Sequence, residues 1–153
     1  MSEQVNKNRY HVRWMVKNDL HDVMPWEDGL SRPWSEVDYR TAMAKRNAVS
    51  MLAEQDAVVR GIVVYELQKY FLDLRRIVVA PEHRLRGCGR SMIEMMVGKL
   101  SMNRRRRIRA IVSDDYIGAM RPFLRSCGFV FDRSLEESTV WGFNFIPEAG
   151  KWK

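Results

Sequence analysis

Arg84-Leu85-Arg86-Gly87-Cys88-Gly89 stands between an apolar run ending Ile77-Val78-Val79-Ala80-Pro81 and an amphipathic run that opens at Gly87. A helix start leaves four backbone N–H groups without intrahelical acceptors and carries the positive end of the helix dipole, so it suits a phosphate or pyrophosphate. Gly87 and Gly89 remove side chains where pyrophosphate oxygens would come near, and Arg84, Arg86 and Arg90 add charge-assisted contacts. Residues 84–90, Leu85 and Cys88 included, form the candidate anion-binding turn. A glycine pair before a helix also serves ordinary strand-to-helix turns. A P-loop would need a Gly-Lys-Ser/Thr ending, and a dinucleotide fold a third glycine with an acidic residue about twenty positions on; neither signature is complete.

Other reactive residue types are sparse. Cys88 and Cys127 are the two cysteines, far apart and without a Cys-Xaa-Xaa-Cys pair, so neither a zinc site nor a disulfide framework is expected. Cys88, inside the turn, reads as a small packing residue. His11, His21 and His83 show no pairing and read as surface or strand-edge residues. Arg104–Arg107 and Arg109 cluster after a helix-like run. They suit a solvated helix end that complements the dipole, or a contact with RNA, a ribosome or a cofactor phosphate.

The 153 residues carry 26 Lys+Arg against 19 Asp+Glu, net charge +7, with 46% hydrophobic residues, a balance expected of one folded domain. The first residues lack the apolar stretch of a signal peptide, and no run approaches a membrane span, so the cytoplasm is the expected compartment.

These residues need elements to hold them. Residues 1–8 are polar and read as a flexible start. Tyr10–Met15 alternates as a half-buried strand. Asn18 and Asp19 can cap a short helix carrying Leu20, Val23 and Met24, interrupted by Pro25. Ser35 caps a second helix with Val37, Tyr39 and Met43 among its buried or half-buried positions. Residues 48–53 and 58–67 read as a hairpin about Gln55-Asp56, and 72–79 as the next strand, ended by Pro81. Gly87 to roughly Asn103 is the clearest helix, with Met92, Ile93, Met96, Val97 and Leu100 on one face. A strand over 108–112, a helix ending near Ser126, and strands over 128–131 and 139–145 complete the order; residues 147–153 read as a tail. That order describes an α/β fold around a mixed sheet of about seven strands flanked by helices, in one domain over 9–146.

The turn and its context resemble the GNAT acetyltransferases, whose signature of Arg or Gln, two residues, Gly, one residue, then Gly or Ala is matched by Arg84, Gly87 and Gly89. Val79-Ala80-Pro81-Glu82 resembles the family's strand end, and Gly128-Phe129 the end of its next conserved segment, so the likeness covers about residues 9–146. It implies a mostly antiparallel sheet with a splayed parallel pair, strands 72–79 and 108–112. It also implies acetyl-CoA as co-substrate, with no metal. The pantetheine arm would pair with backbone of Ile77, Val78 and Val79 while residues 84–90 hold the pyrophosphate.

Within the family the chain is most similar to the RimI-like group, which acetylates the N-terminal amine of a ribosomal protein. Pro33-Trp34-Ser35-Glu36, the opening strand Val12-Arg13-Trp14-Met15 and the segment Phe123–Phe129 carry this likeness. Ile111 stands where that group has its catalytic Glu, and Leu124 where a Tyr protonates the leaving thiolate. The resemblance then points to Asp73, eleven positions before Arg84, as a base, and to Tyr116 as an acid; Asp73 reads otherwise as a salt-bridge partner of an arginine. Glu66, Asp114 and Asp115 are weaker base candidates. Period two puts Asp73, Arg75, Ile77 and Val79 on one strand face. Pro122 predicts that its helix starts late or bends.

The implied acceptor is a protein or peptide amine, a ribosomal protein among them. A small amine such as a polyamine or antibiotic is the alternative, with Asp73, Asp114, Asp115, Glu136 and Glu137 as acidic sources. A module that binds acyl-CoA without turnover is a third reading. Nucleic-acid contact through Arg104–Arg109 is compatible with the charge, as is a monomer or a homodimer; no membrane partner is expected.

Overall fold

A polar start and a short tail bracket the chain, and the computed structural model describes residues 9–145. The expected flexible start at 1–8 and tail at 147–153 lie outside the described residues. Seven strands form one mixed sheet in the order β1-β2-β3-β4-β5-β7-β6: β1 His11–Trp14, β2 Ala48–Gln55, β3 Val58–Leu67, β4 Phe71–Val79, β5 Arg107–Ser113, β6 Val130–Ser134 and β7 Ser138–Asn144. Four helices accompany them: α1 Leu20–Val23, α2 Glu36–Ala44, α3 Cys88–Val97 and α4 Ile117–Ser126. The β4–β5 pair is parallel, while β1–β2, β5–β7 and β6–β7 are antiparallel. Among the described residues the β4–β5 ladder runs from Phe71↔Arg107 to Leu74↔Ala110, short of the C-terminal ends of both strands. No helix among them is long and apolar enough to cross a membrane.

The chain divides into two compact units, Met1–Val64 with Arg76–Met92, and Tyr65–Arg75 with Ile93–Lys153. In the first, Leu20, Val23 and Tyr39 from the helices pack with Leu52, Ile62, Val64 and Val78 from the sheet. Gln55 leads into a two-residue turn in which Asp56 and Ala57 both have positive φ, the geometry that joins tightly twisted strands. Strand β2 therefore extends through Gln55, two residues past its expected end at Ala53, and the turn sits one residue later than expected.

Ser35 caps α2 as expected: its hydroxyl accepts the Asp38 N–H, and the Asp38 carboxylate takes the Ser35 N–H. Val37, expected at a buried or half-buried position, is exposed, because the inward face of α2 belongs to Tyr39. Asp19 precedes α1 as expected, but its carboxylate does not cap that helix. It turns back to accept the Val16 N–H at 2.8 Å and the Arg13 guanidinium at 3.0 and 3.1 Å. Pro25 sits in a 3-10 turn, Met24–Glu27, that continues from α1.

That turn delivers Glu27 to the interior, where only 1% of the residue is exposed. Its carboxylate accepts from the Tyr39 hydroxyl, the Arg76 guanidinium and the Trp34 N–H. Trp34 in turn packs edge-on against Tyr39 and under the Arg76 guanidinium. The Pro33-Trp34-Ser35-Glu36 segment thus has a structural occupation: Trp34 closes a buried charge cluster and Ser35 starts a helix.

In the second unit the core includes Ile108, Ala110 and Val112 of β5, Leu124, Phe129, and Val140, Trp141 and Phe143 of β7. Helix α4 starts at Ile117 and runs through Pro122, so it does not start late. It ends in a Schellman motif: Phe129 N–H reaches Leu124 C=O, Gly128 N–H reaches Arg125 C=O, and Gly128 takes φ +94°. Helix α3 stops at Val97, six residues before its expected end near Asn103. The residues of its expected apolar face are all buried. At the end of the sheet, β6 exposes every residue, shifts register between Phe131 and Arg133, and holds Asp132 against Arg107.

Tyr39→Phe removes one of three donors from a buried carboxylate. The expected loss is about 1–3 kcal/mol, read as a lower urea midpoint at unchanged m-value.

Candidate functional site

At the end of β4, Ala80 donates its N–H to Arg60 C=O at 2.7 Å, and Pro81–His83 form a 3-10 turn with Pro81 at its start. The backbone then reverses through residues whose φ alternates in sign, with Leu85 at +63° and Gly87 at +88°. Alternation of this kind turns successive N–H groups toward one side and makes an anion-binding concavity. Gly87 C=O accepts the Ser91 N–H at 3.0 Å, so the helical ladder opens there, and the turn leads directly into the first turn of a ten-residue helix, whose amides lack acceptors within the helix itself. Arg84, Arg86 and Arg90 are exposed around it, and Leu85 is fully exposed at 105%. A Cβ on Gly87 would meet nothing within 4 Å, so it is the positive φ that calls for glycine there.

Three residues that the sequence did not single out lie against this turn and the start of α3. A Cβ on Gly61 of β3 would lie 2.8 Å from Cys88 Sγ and 2.9 Å from the Met92 terminal carbon, so glycine lets α3 settle against the strand. Tyr10 lies under the turn, its hydroxyl 3.4 Å from His83 Nδ1 and 3.5 Å from Arg86 C=O. Arg60 contributes a buried Nε with no hydrogen-bond partner among the described residues. His83, read from sequence as a surface or strand-edge residue, is buried against the Tyr10 ring. Burial, then the neighbouring Arg60 and Arg86 charges, lower its pKa and favour the neutral imidazole. His11 and His21 are exposed. Burial pushes the Cys88 thiol up to about 12 and keeps it protonated, in line with a packing role.

The second unit holds the sequence-derived acid–base candidates. Asp73 is 3% exposed and paired through both oxygens with Arg109, Nε to Oδ1 at 3.2 Å and a terminal nitrogen to Oδ2 at 2.8 Å. Parallel register sets the two residues side by side, and the Arg109 guanidinium also lies 4.6 Å from the Phe71 ring centre. Arg75 lies between Asp73, at 3.9 Å, and Glu66, at 3.8 Å. Tyr116 occupies the cap position of α4, half-buried. Ile111 is exposed and Leu124 fully buried. Asp114 donates its N–H to Glu137 C=O at 3.0 Å, which brings the exposed pairs Asp114-Asp115 and Glu136-Glu137 to one place.

A family model described as the acetyltransferase (GNAT) family matches residues 13–129. A search of curated proteins gives no match. Among solved structures, the ribosomal-protein-S18-alanine N-acetyltransferase of Escherichia coli superposes with a TM-score of 0.72 at 16% identity, over 90% of this chain and 94% of that one. A mutant of the SpeG spermidine N-acetyltransferase of Vibrio cholerae gives 0.70 at 16%, over 89% and 94%. The PaiA N-acetyltransferase of Thermoplasma acidophilum, in complex with coenzyme A, gives 0.70 at 13%, over 90% and 99%.

A thiol titrating near 12 has only about one part in ten thousand thiolate at pH 8. In a Cys127→Ser variant, Ellman's reagent is therefore expected to label Cys88 at least ~100-fold more slowly in the native protein than in denaturant; rapid native labelling would refute the burial argument.

Proposed function

The chain belongs to the GNAT acetyltransferase family, and on that premise we propose that it moves an acetyl group from acetyl-CoA to a primary amine, with a protein N-terminal amine as acceptor. The observation that carries the donor is the turn at residues 84–90: two positive-φ positions, the N-terminus of α3 and three exposed arginines suit a pyrophosphate. Ile77, Val78 and Val79 lie beyond the last β4–β5 pair and are assigned to the pantetheine arm. Acetyl-CoA, when bound, supplies the acyl group as an activated thioester.

The chain's own residues must then take a proton from the amine and give one to the departing sulfur. Asp73 is the proposed base and Tyr116 the proposed acid. Each Asp73 oxygen keeps a second lone pair beside its bond to Arg109, so an N–H can still be received there. Arg109 holds both oxygens of that carboxylate, and a purely structural ion pair is the competing role.

A polyamine acceptor is the second reading, favoured by the gathering of Asp114, Asp115, Glu136 and Glu137 through the Asp114–Glu137 contact. The RimI-like likeness supports the protein amine less than the sequence alone suggests, because Trp34 and Ser35 are committed to packing and capping.

Calorimetry with acetyl-CoA tests the donor: saturable binding that weakens when Arg84 and Arg86 become alanine is expected, and no heat from folded protein would sink the proposal. Product formation across peptides bearing free N-termini and across spermidine and spermine decides the acceptor, and transfer to none of them favours a binding module without turnover.

Asp73→Asn separates the two roles of that carboxylate. A base predicts a kcat loss of about 100-fold or more with a changed pH–rate profile. A structural partner predicts a lower melting temperature with kcat nearly intact.

A further inference from the structure

The arginine run at residues 104–109 does not act as one patch. Arg107 donates to Asp132 at 2.8 Å, and Arg109 is committed to Asp73 and the Phe71 ring. Arg105 is held inward, its Nε donating to Gln68 C=O at 2.5 Å. The same contact region joins two loops: Arg106 N–H donates to Tyr70 C=O at 3.1 Å, and Ser101 N–H to Arg105 C=O at 2.9 Å. The turn between β3 and β4 is thereby fastened to the loop between α3 and β5. What it displays is Lys69, Lys99, Arg104 and Arg106, all exposed, around a Tyr70 ring that is 62% exposed. Residues 67–72 and 95–113 contain no Asp or Glu. Among the described residues no carboxylate pairs with Lys99, Arg104 or Arg106.

We propose that this surface docks a single-stranded nucleic acid, with the cations on the phosphates and Tyr70 as a stacking platform for a base. Charge alone would attract any polyanion, and the aromatic ring is what selects among them. An unpaired base gains stacking energy on an exposed ring, while a duplex keeps its bases inside and an acidic peptide has none. The Lys69 ammonium lies over one face of the ring, 5.2 Å from its centre, and its flexible stem lets it swing off to the phosphate beside a base stacked there. This docking does not depend on acetyl transfer, and none of its side chains belongs to the turn at residues 84–90.

The test is fluorescence anisotropy of the full chain with a labelled twelve-nucleotide RNA of mixed sequence, alongside the same RNA in a duplex, DNA of the same sequence and polyglutamate. The single strands, RNA and DNA alike, are expected to bind tighter than the duplex or polyglutamate, with log Kd rising with log salt at a slope of about 3 for four phosphate contacts. Lys69→Ala with Arg104→Ala and Arg106→Ala should weaken binding about tenfold or more and flatten that slope. Tyr70→Ala should weaken RNA binding about tenfold while Tyr70→Phe retains it. Melting temperature and acetyl-CoA affinity serve as folding controls and should not move. Binding that ignores these substitutions, or that is as tight for the duplex or polyglutamate as for the single strands, overturns the proposal.

Discussion

Between Val79 and Cys88 the backbone must leave a strand, reverse, and enter a helix. Two left-handed positions accomplish this, one at Gly87 without cost and one at Leu85, where a side chain makes the conformation unfavourable by about 1–2 kcal/mol. The neighbouring thiol, imidazole and phenol add no negative charge there. A thiol at a helix start is ordinarily driven toward thiolate by the dipole, yet burial dominates at Cys88 and the group stays neutral. His83 is likewise held neutral by burial and by Arg60 and Arg86, and burial raises the Tyr10 pKa so that its hydroxyl keeps its proton. The local field is then set mainly by backbone N–H groups and arginines, with the Glu82 carboxylate opposing them at His83.

A second constraint is the Glu27 carboxylate. A buried charge is tolerated only when its lone pairs are answered, and removal of one partner costs more than the pair gains. Tyr39, Arg76 and Trp34 answer it together, which joins α2, the 3-10 turn after α1 and the middle of β4. Arg76 immediately precedes Ile77–Val79, so the cluster that anchors the helices also fixes the strand leading to the turn.

What could be read from the sequence was local. The turn, the α3 face and the Ser35 cap each depend on residues within one or two helical turns of one another, and each formed as expected. The residues that escaped are joined through the sheet. Gly61 matters because Cys88 and Met92 lie opposite it, and Tyr10 because His83 does, more than seventy positions away. Arg109 looked like part of a basic run until parallel register set it beside Asp73. Val37 is hydrophobic yet exposed, because Tyr39 fills the inward site that α2 offers near Glu27 and hydrophobicity alone does not say which face a residue occupies.

The last strand in the sheet order carries a consequence of its own. An outer strand exposes a row of unpaired amides and carbonyls, a template on which other chains can add. Strand β6 is irregular between Phe131 and Arg133, and its charged pair lies at that break, with Asp132 drawn to Arg107 and Arg133. An incoming strand would have to match a broken register and desolvate both charges. Despite the exposed Val130 and Phe131, β6 therefore disfavours lateral growth of the sheet and protects the protein against aggregation through that edge.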